Sequence, residues 1–147
     1  MEDKDLYFMR IALQQAELAF EKDEVPIGAI IVYEDKIIGK GYNQVETLQD
    51  ATAHAEMIAL TAAFQHMNAK YAMGSTLYVT LEPCIMCAGA SHWAKISKLV
   101  YAASDPQKGY SQFDLNRKII HPKIQVVKGI LENESLALIK KFFLCKR

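Results

Sequence analysis

The chain has 147 residues, 51% hydrophobic and 23% charged, an ordinary globular composition with room for one packed domain spanning residues 1–147. Seventeen basic residues balance seventeen acidic ones, so total charge points to no nucleic-acid partner, but residues 1–73 hold 6 Lys/Arg and 12 Asp/Glu whereas residues 74–147 hold 11 and 5. No segment has the length of apolar sequence that spans a bilayer, and the acidic Met-Glu-Asp-Lys-Asp start is unlike an export signal, so a cytoplasmic protein without a membrane partner is expected.

Leu6, Met9, Leu13, Ala16 and Phe20 recur at helical spacing and predict an amphipathic helix over 5–22. Residues 25–33 are rich in Ile and Val, and Glu34-Asp35 turns them into a second strand at 36–41, a β-hairpin. A polar loop over 42–50 leads to Thr52, which is placed to cap a helix reaching Asn68. That helix is apolar nearly all round, as is a later one at 84–95 with Pro83 at its first turn, so both are expected to be buried. Strands at 76–81, 98–102 and 124–127, a turn-rich stretch at 103–122 and a helix at 133–143 complete the order. Alternating strands and helices after a hairpin indicate an α/β fold, a three-layer α/β/α sandwich around a mixed central sheet.

Two helix starts concentrate the chemistry: Thr-Ala-His-Ala-Glu at 52–56 and Leu-Glu-Pro-Cys-Ile-Met-Cys at 81–87. An odd count of three cysteines argues against a disulfide framework, and Cys84 and Cys87 lie on one helix face where both sulfurs can meet one point. With His54 they form a three-donor set of the kind zinc takes, which leaves a fourth position for substrate water. The positive helix end favours the thiolates that a metal requires. Glu56, two residues from His54, suits the role of proton carrier between that water and a substrate. A redox cysteine pair does not call for the His-x-Glu segment, and Cys145, His66, His92 and His121 are isolated, as surface or packing residues are. Trp93 and the methionines are expected in the core.

His-x-Glu followed by Pro-Cys-x-x-Cys is the zinc-deaminase signature. Together with Val-Pro-Ile-Gly-Ala at 25–29, Gly-Tyr-Asn at 41–43, the run at 76–90 and Glu-Ser-Leu-Ala-Leu-Ile-Lys-Lys-Phe-Phe at 134–143, the chain resembles bacterial tRNA-specific adenosine deaminases of the cytidine deaminase-like superfamily. The resemblance implies conversion of adenosine to inosine at the wobble position of a tRNA anticodon stem-loop, one zinc per subunit, and a homodimer. It assigns zinc to His54, Cys84 and Cys87, and proton transfer to Glu56. It also places Asn43, Ile27 and Ala55 around the flipped base, Asp105 near the substrate backbone and Phe143 on a helix that meets RNA. The Trp93-Ala94 pair is similar to some guanine deaminases, so deamination of a free base or nucleoside such as guanine or cytosine is the alternative. Nine of the eleven basic residues of the second half lie from Lys108 onward, the region that the resemblance turns toward RNA.

Overall fold

The structure, a computed structural model, describes residues 3–145; Lys146 and Arg147 of the basic run lie outside them. Helix α1 (Lys4–Glu21) leads into strands β1 (Gly28–Tyr33) and β2 (Lys36–Tyr42), the short helix α2 (Val45–Leu48) and helix α3 (Ala55–Met67). Strand β3 (Thr76–Leu81), helix α4 (Ile85–Ala94), strand β4 (Lys98–Ala103), a 3-10 turn (Tyr110–Gln112), strand β5 (Gln125–Lys128) and helix α5 (Glu132–Cys145) follow.

The five strands form one sheet in the order β2-β1-β3-β4-β5. Strand β1 is antiparallel to both neighbours, whereas β3, β4 and β5 run parallel, so the sheet is mixed as expected. Alternate residues supply two cores. Ala29, Ile31, Leu77, Val79, Leu99 and Tyr101 face α3 and α4, while Ile30, Val32, Tyr78, Val100 and Ala102 face α1. On the α1 side, the Asp5 carboxylate accepts hydrogen bonds from the Tyr78 hydroxyl (2.8 Å) and the Lys98 ammonium (2.9 Å), tying the helix to β3 and β4. Burial and the Asp5 charge push the Tyr78 hydroxyl's pKa up.

Four local expectations are corrected. The segment 42–50 is not wholly irregular, because α2 forms there where the buried Glu24 carboxylate accepts from the backbone of Glu46 and Thr47. Thr52 is not a helix cap: its amide and hydroxyl both donate to Asp50 Oδ1 (2.8 and 2.7 Å), and His54 takes the cap position of α3. Pro83 stands just before the cap of α4, which is Cys84. Trp93 is 79% exposed because, among the described residues, nothing covers the far side of the outer layer that α3 and α4 form in the α/β/α sandwich, and Met73, in the loop before β3, is exposed as well.

Strand β2 carries the start of α3 at very close range. A Cβ on Gly41 would overlap the Ala55 carbonyl, so only glycine lets this backbone pack so tightly. Gly41→Ala is therefore expected to destabilise the fold by about 1–3 kcal/mol, read as a lower urea midpoint, and to reduce zinc content because the displaced helix begins at His54.

Candidate active site

Helices α3 and α4 start at the same point in space. His54 and Cys84 occupy the two N-cap positions, and neither side chain makes a capping hydrogen bond. Cys87 and Glu56 belong to the first turns of α4 and α3, so each helix contributes its cap and a first-turn side chain. His54 Nδ1 lies 3.6 Å from Cys84 Sγ and 3.5 Å from Cys87 Sγ. The three donor atoms all fall within 4.8 Å of one another.

This spacing fits zinc. A tetrahedral ion about 2.3 Å from sulfur and about 2.0 Å from nitrogen holds such donors about 3.6 Å apart. The Cys84 thiol is pushed down to about 4, first by a hydrogen bond from Cys87 and then by His54. The Cys87 thiol is pushed up, chiefly by the bond it gives to Cys84. The protein alone thus favours the thiolate of Cys84 over that of Cys87, and a bound dication would favour both.

Glu56 is 4% exposed. Burial, with a smaller contribution from the Cys84 charge, pushes its carboxyl up to about 7. A carboxyl so placed can both take and give a proton near neutrality.

A pocket of about 150 Å³ opens over these groups, lined by Ile27, Asn43, Ala55, Glu56, Glu82 and Asp105 among others. The cytidine and deoxycytidylate deaminase zinc-binding family matches residues 2–103. The tRNA-specific adenosine deaminase of Buchnera aphidicola is 42% identical over 147 residues, covering 99% of this chain and 97% of the relative. That of Bacillus subtilis is 40% identical, covering 95% and 89%. The chain belongs to the tRNA-specific adenosine deaminase family. A solved tRNA A34 deaminase, 38% identical, superimposes with a TM-score of 0.84 over 90% of this chain and 98% of that one. A guanine deaminase from Nitrosomonas europaea, 25% identical, gives 0.79 over 93% and 83%.

The fold that this deaminase shares with its relatives brings eight of the nine expected residues together: the three donors, Glu56, Asn43, Ile27, Ala55 and Asp105. Phe143 is absent from the lining; it is exposed on α5, its ring against Phe142. The Asn43 amide donates to the Val25 carbonyl (3.3 Å) and accepts from the Val45 amide (3.2 Å), which fixes its orientation and leaves further hydrogen-bonding capacity on a residue of the pocket lining. Asp105 Oδ1 accepts from the Gln107 and Lys108 amides and so shapes its own turn. Val45, Leu81, Glu82 and Lys108 also line the pocket, beyond the expected set. Leu81 and Glu82 carried a proximity signal, since both belong to the Leu-Glu-Pro-Cys segment.

A larger hollow of about 570 Å³ at the other end of α4, lined by His92, Trp93, Lys95 and His121, contains none of the three metal donors. Cys87→Ala, which leaves a two-donor set, is expected to yield protein without stoichiometric zinc by elemental analysis. Wild type should hold about one ion per chain.

Proposed function

We propose that residues 1–147 form a single cytoplasmic domain that hydrolyses the wobble adenosine of a tRNA anticodon stem-loop to inosine, and that it works as a homodimer. The observation carrying the reading is the buried Glu56 beside the three-donor cluster, in a chain similar along nearly all its length to tRNA-specific adenosine deaminases.

His54, Cys84 and Cys87 would hold the zinc. When bound, the ion would lower the pKa of a water toward neutrality and so make available the nucleophile that deamination needs at C6 of the base. Glu56 removes the proton of that water and delivers it to N1, then carries a second proton to the amino group, which departs as ammonia. One water is consumed and one ammonia released. Ile27 and Ala55 offer the apolar walls against which an extruded base packs, and the remaining hydrogen-bonding capacity of Asn43 faces it. An unpaired loop nucleotide enters such a pocket more cheaply than a stacked, paired one.

Strand direction supports an RNA surface at this end. Because β3, β4 and β5 are parallel, Lys128 at the end of β5 lies on the sheet edge where β3 delivers the Pro-Cys motif. Lys108 lines the pocket. The Phe142 ring meets Phe20 near the end of α1, which brings Lys140 and Lys141 toward the same edge and supports the reading of the neighbouring Phe143 as an RNA contact. The ion pairs among the described residues are Lys4–Asp35 and Lys98–Asp5, so none of these four lysines is neutralised by a carboxylate there.

Dimerisation is supported by the outer face of α3 and α4. Met57, Phe64, Ala90 and Trp93 line a groove of about 300 Å³ on it, α4 carries no charged residue, and a side chain at Gly89 would meet open space. A second copy of this chain would cover that face.

The deciding experiment offers the purified protein an anticodon stem-loop with wobble adenosine, and separately free guanine, cytosine and adenosine. Inosine in the RNA is expected; ammonia from guanine without RNA product would establish the free-base alternative. Glu56→Gln should retain zinc while turnover falls about 10²–10⁴-fold, the usual contribution of a proton-transfer group. Raising the salt concentration should weaken stem-loop binding steeply, as for any protein that neutralises several phosphates.

A further inference from the structure

We propose that Glu82 is a positioning residue: its buried carboxylate clamps residues 105–111 in place as the substrate-facing wall of the pocket and takes no part in proton transfer. The proposal rests on the reading of this pocket as the RNA-editing site.

Glu82 is 3% exposed at the end of β3, two residues before Cys84. Both of its oxygens are engaged. Oε1 accepts from the Asp105 amide (3.0 Å), and Oε2 accepts from the Ser111 amide (3.0 Å) and the Ser111 hydroxyl (2.6 Å). These bonds grip the two ends of the segment, and its middle wraps around the same carboxylate. A Cβ on Gly109 would overlap the Glu82 carboxyl group, so the backbone passes closer than any other residue permits. A bridge between Cys84 and Gly109 and a bond from the Tyr110 amide to the Pro83 carbonyl (2.9 Å) seat the same segment on the Pro-Cys motif.

Asp105, at one clamped end, and Lys108, between the two, line the pocket. The Asp105 side chain ties the turn internally through the Gln107 and Lys108 amides, so the segment moves as one piece and the Glu82 grip sets where that piece stands. Glu24 does the same for the segment that carries Val45, another residue of the lining: 1% exposed, it accepts from the Glu46 amide (3.1 Å) and from the amide and hydroxyl of Thr47 (both 2.6 Å). An acceptor-only carboxylate matches three converging donors, whereas an amide would turn its own N–H groups on them. Two segments that contribute to the pocket lining, one through Val45 and one through Asp105 and Lys108, are thus each held by one buried carboxylate.

Glu82→Gln, Gly109→Ala and Ser111→Ala disturb this clamp from three sides. Glu82→Gln and Gly109→Ala should keep their zinc, raise KM for the stem-loop about tenfold or more through loss of charge-assisted bonds, and change kcat much less. Ser111→Ala, which keeps the amide bond, should shift KM in the same direction by less; it remains informative if the other two fail to fold. Hydrogen exchange without substrate should show the Asp105 and Ser111 amides protected in wild type and fast in Glu82→Gln. Zinc lost in step with activity, a fall in kcat at constant KM, or unchanged exchange at both amides would overturn the assignment. If wild type deaminates a free base instead of the stem-loop, the RNA reading fails, while exchange, and KM on that base, still decide the clamp.

Discussion

The architecture turns on bringing the starts of two helices to one point. A cysteine pair at i and i+3 and a histidine 30 residues earlier can share an ion only if α3 and α4 begin side by side, and the sheet arranges this. Gly41 lets α3 rest on the backbone of β2, while β3 runs straight through Glu82 and Pro83 into Cys84. Both N-cap positions then hold residues that do not cap. An N-cap side chain that bonds the first turn stabilises a helix by about 1 kcal/mol, so using His54 and Cys84 as donors surrenders that stabilisation at both ends. In return, the uncapped amides and helix dipoles lend positive potential where sulfur must carry negative charge.

Three buried glutamates surround this point, and their surroundings give them different duties. Glu82 and Glu24 each receive three donors from a neighbouring segment, and their capacity is spent on holding backbone. Burial dominates the titration of Glu56, and its own amide, the His54 charge and Cys87 offset that only in part. A poorly solvated carboxyl beside a nucleophile is suited to exchange protons, and one saturated by donors is suited to fix geometry. Residue type alone does not separate these roles; the number of donors does.

That distinction also marks how far the sequence could be read. Hydrophobic periodicity located the strands and the long helices to within a few residues, because each pattern is local. The donor set was legible for the same reason: cap position, helix spacing and ligand chemistry are contained in two short segments. The Glu24 and Glu82 clamps were not, since their partners lie 22 to 29 residues away and meet them only after the sheet forms. Thr52 was misread by a competition one turn long, with Asp50 capturing its amide and hydroxyl. Trp93 was misplaced because periodicity reports that a helix is apolar all round but not which side the rest of the chain covers.

The uneven charge of the two halves acquires a spatial meaning from the strand order. The acidic half contributes α1, the hairpin and α3, whereas the basic half contributes β4, β5 and α5, and strand polarity directs Lys108, Lys128 and the lysines of α5 to the pocket end. The uncharged outer face of α4 is a separate surface, perpendicular in the layering to the edge where the strands end. A second copy seated on that face would therefore leave the basic edge open. A net charge of zero is compatible with binding a polyanion when, as here, most basic residues belong to one half of the chain and most acidic residues to the other.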